Sequence, residues 1–103
     1  MKKETRSASK FRGAPVDFVV DVRSHIEFWL GSLPGAVCIP VTNLPDGLAK
    51  HEGVSENSRI LVYCASGARS AAAASTLKAA GYRNVVDGGG MGAASQHFTP
   101  TAQ

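Results

Sequence analysis

Long apolar runs are missing from this sequence. The longest are short and interrupted by charge or proline, and none approaches the roughly 18 apolar residues that a membrane-spanning helix needs. Cysteine is scarce as well. Cys38 and Cys64 are the only two, too few for a disulfide framework, and the first residues lack the apolar core of a secretory signal. A soluble protein of the reducing cytoplasm is the expectation, with no membrane partner. No large charge excess exists either: 11 basic residues face 8 acidic ones, for a net charge of +3. Much of that excess lies in Lys2, Lys3, Arg6, Lys10 and Arg12, in a stretch that reads as a solvated tail. Basic and aromatic residues interleave along no predicted element, so nucleic acid is not an expected partner. His25, His51 and His97 show no ligand spacing with one another or with Cys64, which argues against a metal site. The run GGGMGA at 88–93 fits a dinucleotide fingerprint by spelling alone. No acidic residue or second strand follows where that fold needs them, so it reads as a turn and implies no cofactor.

What remains is 103 residues with 44% hydrophobic content, enough for one small domain with one core. Residues 1–13 read as a flexible basic segment and 14–103 as the domain, with order beginning near Val16. DFVVDV (17–22) reads as a buried strand. SHIEFWL (24–30) reads as a short helix, with Ser24 as N-cap, Glu27 completing a capping box and Gly31 ending it. AVCIP (36–40) is a brief second strand, and NLPDGLAKHEG (43–53) a turn with about two helical turns. RILVY (59–63) is a strand, RSAAAASTLKAA a helix closed by Gly81, and NVVD (84–87) the last strand. Strands alternating with helices imply an α/β fold: a small open parallel β-sheet flanked by helices on both faces.

In open parallel sheets, ligands bind beyond the carboxyl ends of the strands. Cys64 stands at such an end. Ala65, Ser66, Gly67 and Ala68 follow it with small side chains, so their backbone N–H groups can turn inward and form an anion-holding nest. Arg69 and Ser70 then open the helix, and Ser70 reads as a helix cap. A helix N-terminus is worth up to ~2 kcal/mol to an anion, which lowers a thiol pKa by roughly one unit. Direct N–H donation and the Arg69 charge supply the rest, since such surroundings bring cysteine pKa values to about 3.5–7.5. The plainer reading is a buried thiol at a strand end, which is how Cys38 reads between Val37 and Ile39. Asp21 and Arg23 read as fixing the loop beneath the site, the spacing suits an Arg23–Glu27 pair one helical turn apart, though such a pair often contributes little, and Trp29 reads as core or pocket rim.

Together these residues resemble the single-domain rhodaneses, a family of α/β sulfurtransferases. VVDVRSHIEFWLGSLPGAVCIP (19–40) is similar to the family's D-V-R-x-x-x-E-(F/Y)-x-x-G-H-I-P-G-A-x-x-I-P at Asp21, Val22, Arg23, Glu27, Phe28, Gly31, Pro34, Gly35, Ala36, Ile39 and Pro40. CASGARS (64–70) resembles its C-x-x-G-x-R-S loop. Ser32 stands where the family usually has histidine, and Met91 lies where a tryptophan is common. The resemblance implies a thiosulfate:cyanide type of sulfurtransferase, with Cys64 as catalytic residue carrying a persulfide. Residues 65–70 would bind substrate and persulfide, and Asp21 and Arg23 would support them. It also implies a small anionic sulfur donor, a cyanide or thiol acceptor that could be a protein, and a monomer. A non-catalytic regulatory rhodanese-like module is the first alternative. A cysteine-dependent phosphatase or arsenate reductase is the second, but phosphatase loops place five residues between cysteine and arginine, and here there are four.

Overall fold

The structure is a computed structural model and describes residues 9–100. Its centre is a parallel sheet ordered β4-β3-β5-β6, made of β3 (Phe18–Asp21), β4 (Val37–Cys38), β5 (Arg59–Cys64) and β6 (Asn84–Gly90). Side chains alternate across a strand, and β5 shows what that does here. Ile60, Val62 and Cys64 join one apolar cluster, while Leu61 and Tyr63 join another on the opposite face. Both faces are covered, so β5 reads as a continuous apolar run rather than as an alternating one.

The face carrying Cys64 is closed by α3 (Ala68–Ala79), which lays Ala73, Ala74 and Leu77 on it, and by Leu48 of α2 (Asp46–Ala49). The alanines let this helix approach the sheet closely. It stops in a Schellman arrangement: Gly81 has φ +107°, and the N–H of Tyr82 donates to the Leu77 carbonyl at 3.2 Å, as a left-handed C′ glycine allows. The other face is closed by Ala94 of α4 (Met91–Ser95), with Phe11, Val16 and Leu33. Helices therefore lie on both faces, as the sequence implies.

The first helix, α1 (His25–Leu30), starts on the expected capping box of Ser24 and Glu27. It buries none of its residues. Trp29 is 82% exposed and so is not part of the core, and Ile26 and Leu30 are exposed beside it. Asp21, Arg23, Tyr63 and Gly31, described below, hold this helix in place of apolar packing.

Three expectations need correcting. Ordered structure begins before Val16: β1 (Lys10–Phe11) pairs antiparallel with β2 (Ala14–Pro15) and with β7 (Phe98–Thr99). Arg12 and Gly13 form the two-residue turn between β1 and β2 with φ +52° and +80°, the pattern of a tight hairpin turn. Phe11 is 2% exposed, so apolar burial overrides the polar composition around it; residues 1–8 of the expected loose lead-in lie outside the described residues. The expected helix in 43–53 shrinks to a 3₁₀ turn at Val41–Asn43 and the four-residue α2, as the breakers there dictate. Finally, 88–93 is not a turn. Its glycines continue β6, and the short α4 follows directly.

Phe11→Ala should destabilise the fold by about 3 kcal/mol, the low end for a buried aromatic truncation, as read by urea denaturation. A loss under about 0.5 kcal/mol, the range of surface substitutions, would contradict the place of this strand in the core.

Candidate active site

Strand β5 delivers Cys64 to the sheet's carboxyl edge with no exposed surface. The chain then reverses through Ala65, Ser66 and Gly67. Gly67 precedes α3 with φ +109°, a conformation that residues with a Cβ rarely adopt. That turn points backbone donors at the sulfur: the N–H of Gly67 reaches Cys64 Sγ at 3.0 Å and the N–H of Ser70 at 3.3 Å. Ser70 does not cap the helix as expected. Its hydroxyl donates instead to the Gly67 carbonyl at 3.0 Å, which fastens the turn to the first turn of α3.

Two opposing effects act on the thiol. Burial pushes its pKa up, and this is the largest single influence. The N–H groups of Ser70, Gly67 and Ser66, with the Ser70 side chain beside them, together outweigh it, and the net result lies below the ordinary thiol value. Cys38 shows the control case. Half-buried in β4, it donates to the Arg23 carbonyl at 3.7 Å, and burial leaves its pKa raised.

Arg69 and Cys64 favour each other's charged form through space, while the hydrogen bonds of the guanidinium go to α1. Its terminal nitrogens donate to both oxygens of Glu27, NH1 to Oε1 at 2.8 Å and NH2 to Oε2 at 3.0 Å. Glu27 Oε1 also accepts from the N–H and the hydroxyl of Ser24, each at 3.0 Å. Hydrogen bonding from Arg69 first, and from Ser24 second, brings the Glu27 pKa down to about 2. The expected Arg23–Glu27 pair does not form. Arg23 turns inward to Asp21 instead, NH2 to Oδ2 at 2.7 Å and Nε to Oδ1 at 3.0 Å, and also donates to the Gly31 carbonyl. Hydrogen bonding to Asp21 holds the Arg23 pKa up despite its burial.

This buried pair links the end of β3 to the end of α1. The Arg23 guanidinium lies 5.9 Å from the Tyr63 ring centre, and the Tyr63 hydroxyl accepts from the Leu33 N–H at 2.9 Å. Asp21 and Arg23 are thus tied to the C-terminal end of α1, and Glu27 of the same helix pairs with Arg69.

Two further residues escape the sequence reading. Gly90 pairs with Cys64 after a register shift between Val62 and Cys64. A Cβ on Gly90 would stand 2.6 Å from the Ala65 carbonyl oxygen and 3.3 Å from Ser66 Cα. A Cβ on Gly88 would stand 2.9 Å from Leu61 Cδ1. The glycine run is thus the wall against which the cysteine loop rests. Glycine inside a strand signals such a close approach, and that is the signal that could have found it. Glu27 offered no comparable signal, because its partner lies 42 residues away. Among the described residues no cluster of three or more His, Cys, Asp or Glu is arranged to hold a metal ion.

The profile of the rhodanese-like domain family matches residues 5–93. A sulfurtransferase of Allochromatium vinosum is 31% identical over 83 residues, spanning 80% of this chain and 75% of that protein. Among solved structures, a rhodanese with anions from E. coli matches with a TM-score of 0.71 at 25% identity, over 82% of this chain and 98% of that one. A human single-domain sulfurtransferase matches with a TM-score of 0.61 at 26% identity, over 68% and 72%.

Gly90→Ala should cost about 1–3 kcal/mol, the usual penalty for overpacking, because the atom it strikes belongs to backbone. In amide NMR spectra the resonances of residues 65–67 should shift while those of α2 stay in place. Unchanged stability with unshifted loop resonances would show that the strand does not brace the loop.

Proposed function

The chain belongs to the rhodanese-like family of sulfurtransferases, and from that premise we propose that Cys64 is its nucleophile and carries the transferred sulfur as a persulfide. One observation carries this reading: the N–H groups of Gly67 and Ser70 converge on Cys64 Sγ at 3.0 and 3.3 Å. The thiolate attacks the outer sulfur of a donor such as thiosulfate. The donor's S–S bond breaks, sulfite leaves with the bonding pair, and the negative charge stays on the outer sulfur of the new persulfide. Loop donors from residues 65–70 hold that charge with little reorganisation, as an oxyanion hole holds a developing alkoxide. A nucleophilic acceptor, cyanide or a thiol, then takes the outer sulfur and returns the pair to Sγ.

Because Cys64 has no exposed surface, a donor reaches it only when the loop gives way. Ala65, Ser66 and Ala68 are exposed and small, so a slight outward shift meets little packing resistance. The chemistry needs a reduced Cys64, which suits the reducing cytoplasm. No helix among the described residues is long and apolar enough to cross a membrane. The donor class is small sulfane-sulfur anions, and the domain needs no second copy for this chemistry.

Incubation with thiosulfate followed by peptide mass spectrometry should find one added sulfur atom on Cys64 and none on Cys38. Cys64→Ser should lower thiosulfate-to-cyanide turnover by a factor of about a thousand or more, as expected for loss of a covalent nucleophile. Sulfur on Cys38 alone, or turnover surviving in Cys64→Ser, would refute the assignment.

A further inference from the structure

We propose that Glu27 is a specificity-determining residue: its carboxylate occupies the Arg69 guanidinium as an internal competing anion, and so selects singly charged sulfur donors over doubly charged ones. This rests on the sulfurtransferase reading of Cys64 but concerns a group that never touches the sulfur in the resting site.

Arg69 lies in the chain between the two residues that donate to Sγ, immediately before Ser70. It is therefore the cation placed to meet an incoming anion. Yet both of its terminal nitrogens are spent on the two oxygens of Glu27, the forked geometry in which guanidinium binds carboxylate best. The pair carries no net charge toward an approaching donor. It is also partly exposed, with 38% of the Arg69 side chain and 34% of the Glu27 side chain accessible, and ion pairs in such a setting are weak enough for another anion to displace.

Displacement does not remove Glu27. Ser24 holds its Oε1 by two hydrogen bonds that do not involve Arg69, in the capping box that starts α1. A donor seated on Arg69 thus has a fixed carboxylate as neighbour. Like-charge repulsion rises with the donor's charge, so thiosulfate, a dianion, suffers more than an organic thiosulfonate or persulfide monoanion. With its pKa brought down to about 2, Glu27 stays charged at every pH at which the protein would be assayed. The penalty is permanent rather than switched.

Glu27→Gln tests this, because the amide keeps one acceptor oxygen for Ser24 and Arg69 NH1 while removing the charge and the second acceptor that Arg69 NH2 uses. Steady-state turnover with cyanide as acceptor is measured for two donors that transfer the same sulfur, thiosulfate and methanethiosulfonate. The KM for thiosulfate should fall about fivefold and that for methanethiosulfonate by about twofold or less, with kcat changed by less than about twofold, the scale of an exposed ion pair. A rise in either KM, or an equal change in both, would overturn the proposal in favour of a purely structural role. Calorimetry of thiosulfate binding to Cys64→Ser, with and without Glu27→Gln, provides a readout independent of turnover. Tighter binding in the double variant supports the proposal even if Cys64 proves not to be the nucleophile, and unchanged binding refutes it even if Cys64 does.

Discussion

A sulfur atom without solvent contact can hold a negative charge only if protein dipoles replace water, and the rest of this site follows from that constraint. Cys64 is fully buried, and burial alone disfavours its thiolate. Backbone N–H groups answer it, because they are fixed by the turn and by the first turn of α3 and need no side-chain ordering. Gly67 takes a positive φ to aim them, and Gly90 leaves room for the Ala65 carbonyl on the other side. The small residues of the loop are thus a consequence of the anion it is proposed to hold.

The loop in turn depends on a frame that contains little apolar packing. Helix α1 has no fully buried residue, and polar contacts hold it at its two ends. At one end the buried Asp21–Arg23 pair grips the Gly31 carbonyl; at the other Glu27 grips Arg69. A buried ion pair is weak evidence for stability, since desolvation offsets much of its attraction. Its geometric role is clearer. Asp21 sits on β3 directly opposite Tyr63, so the pair ties the sheet edge to the helix whose Glu27 meets Arg69.

The parts of this protein legible in its sequence are those dictated by local rules. The capping box of Ser24 and Glu27, the close of α3 at Gly81, the apolar run of β5 and the passage from Cys64 into α3 all depend on residues within a few positions of each other. Most of the misreadings have a different cause, contacts that arrive from distant parts of the chain. Phe11 looks like part of a tail until β7 arrives from the far end of the chain to pair with its strand. Arg69 looks unpaired until α1 brings Glu27 across. Gly88–Gly90 look like a turn until the strand they continue is seen to pack against β5 at Gly88 and against the cysteine loop at Gly90, where a Cβ would collide. Ser70 looks like a cap, but the positive φ of Gly67 gives that place to the glycine.

The central claim is that backbone donation overcomes burial at Cys64, and the most direct measurement is the pH titration of its thiolate by ultraviolet absorbance in a Cys38→Ala background. Donation stabilises the charged form, so the folded thiol must lose its proton at lower pH than the free thiol value of about 8.5. On unfolding in denaturant the inflection should move back up to that value. A titration in the folded protein at or above the unfolded one would mean that burial wins, and that the loop does not hold a sulfur anion.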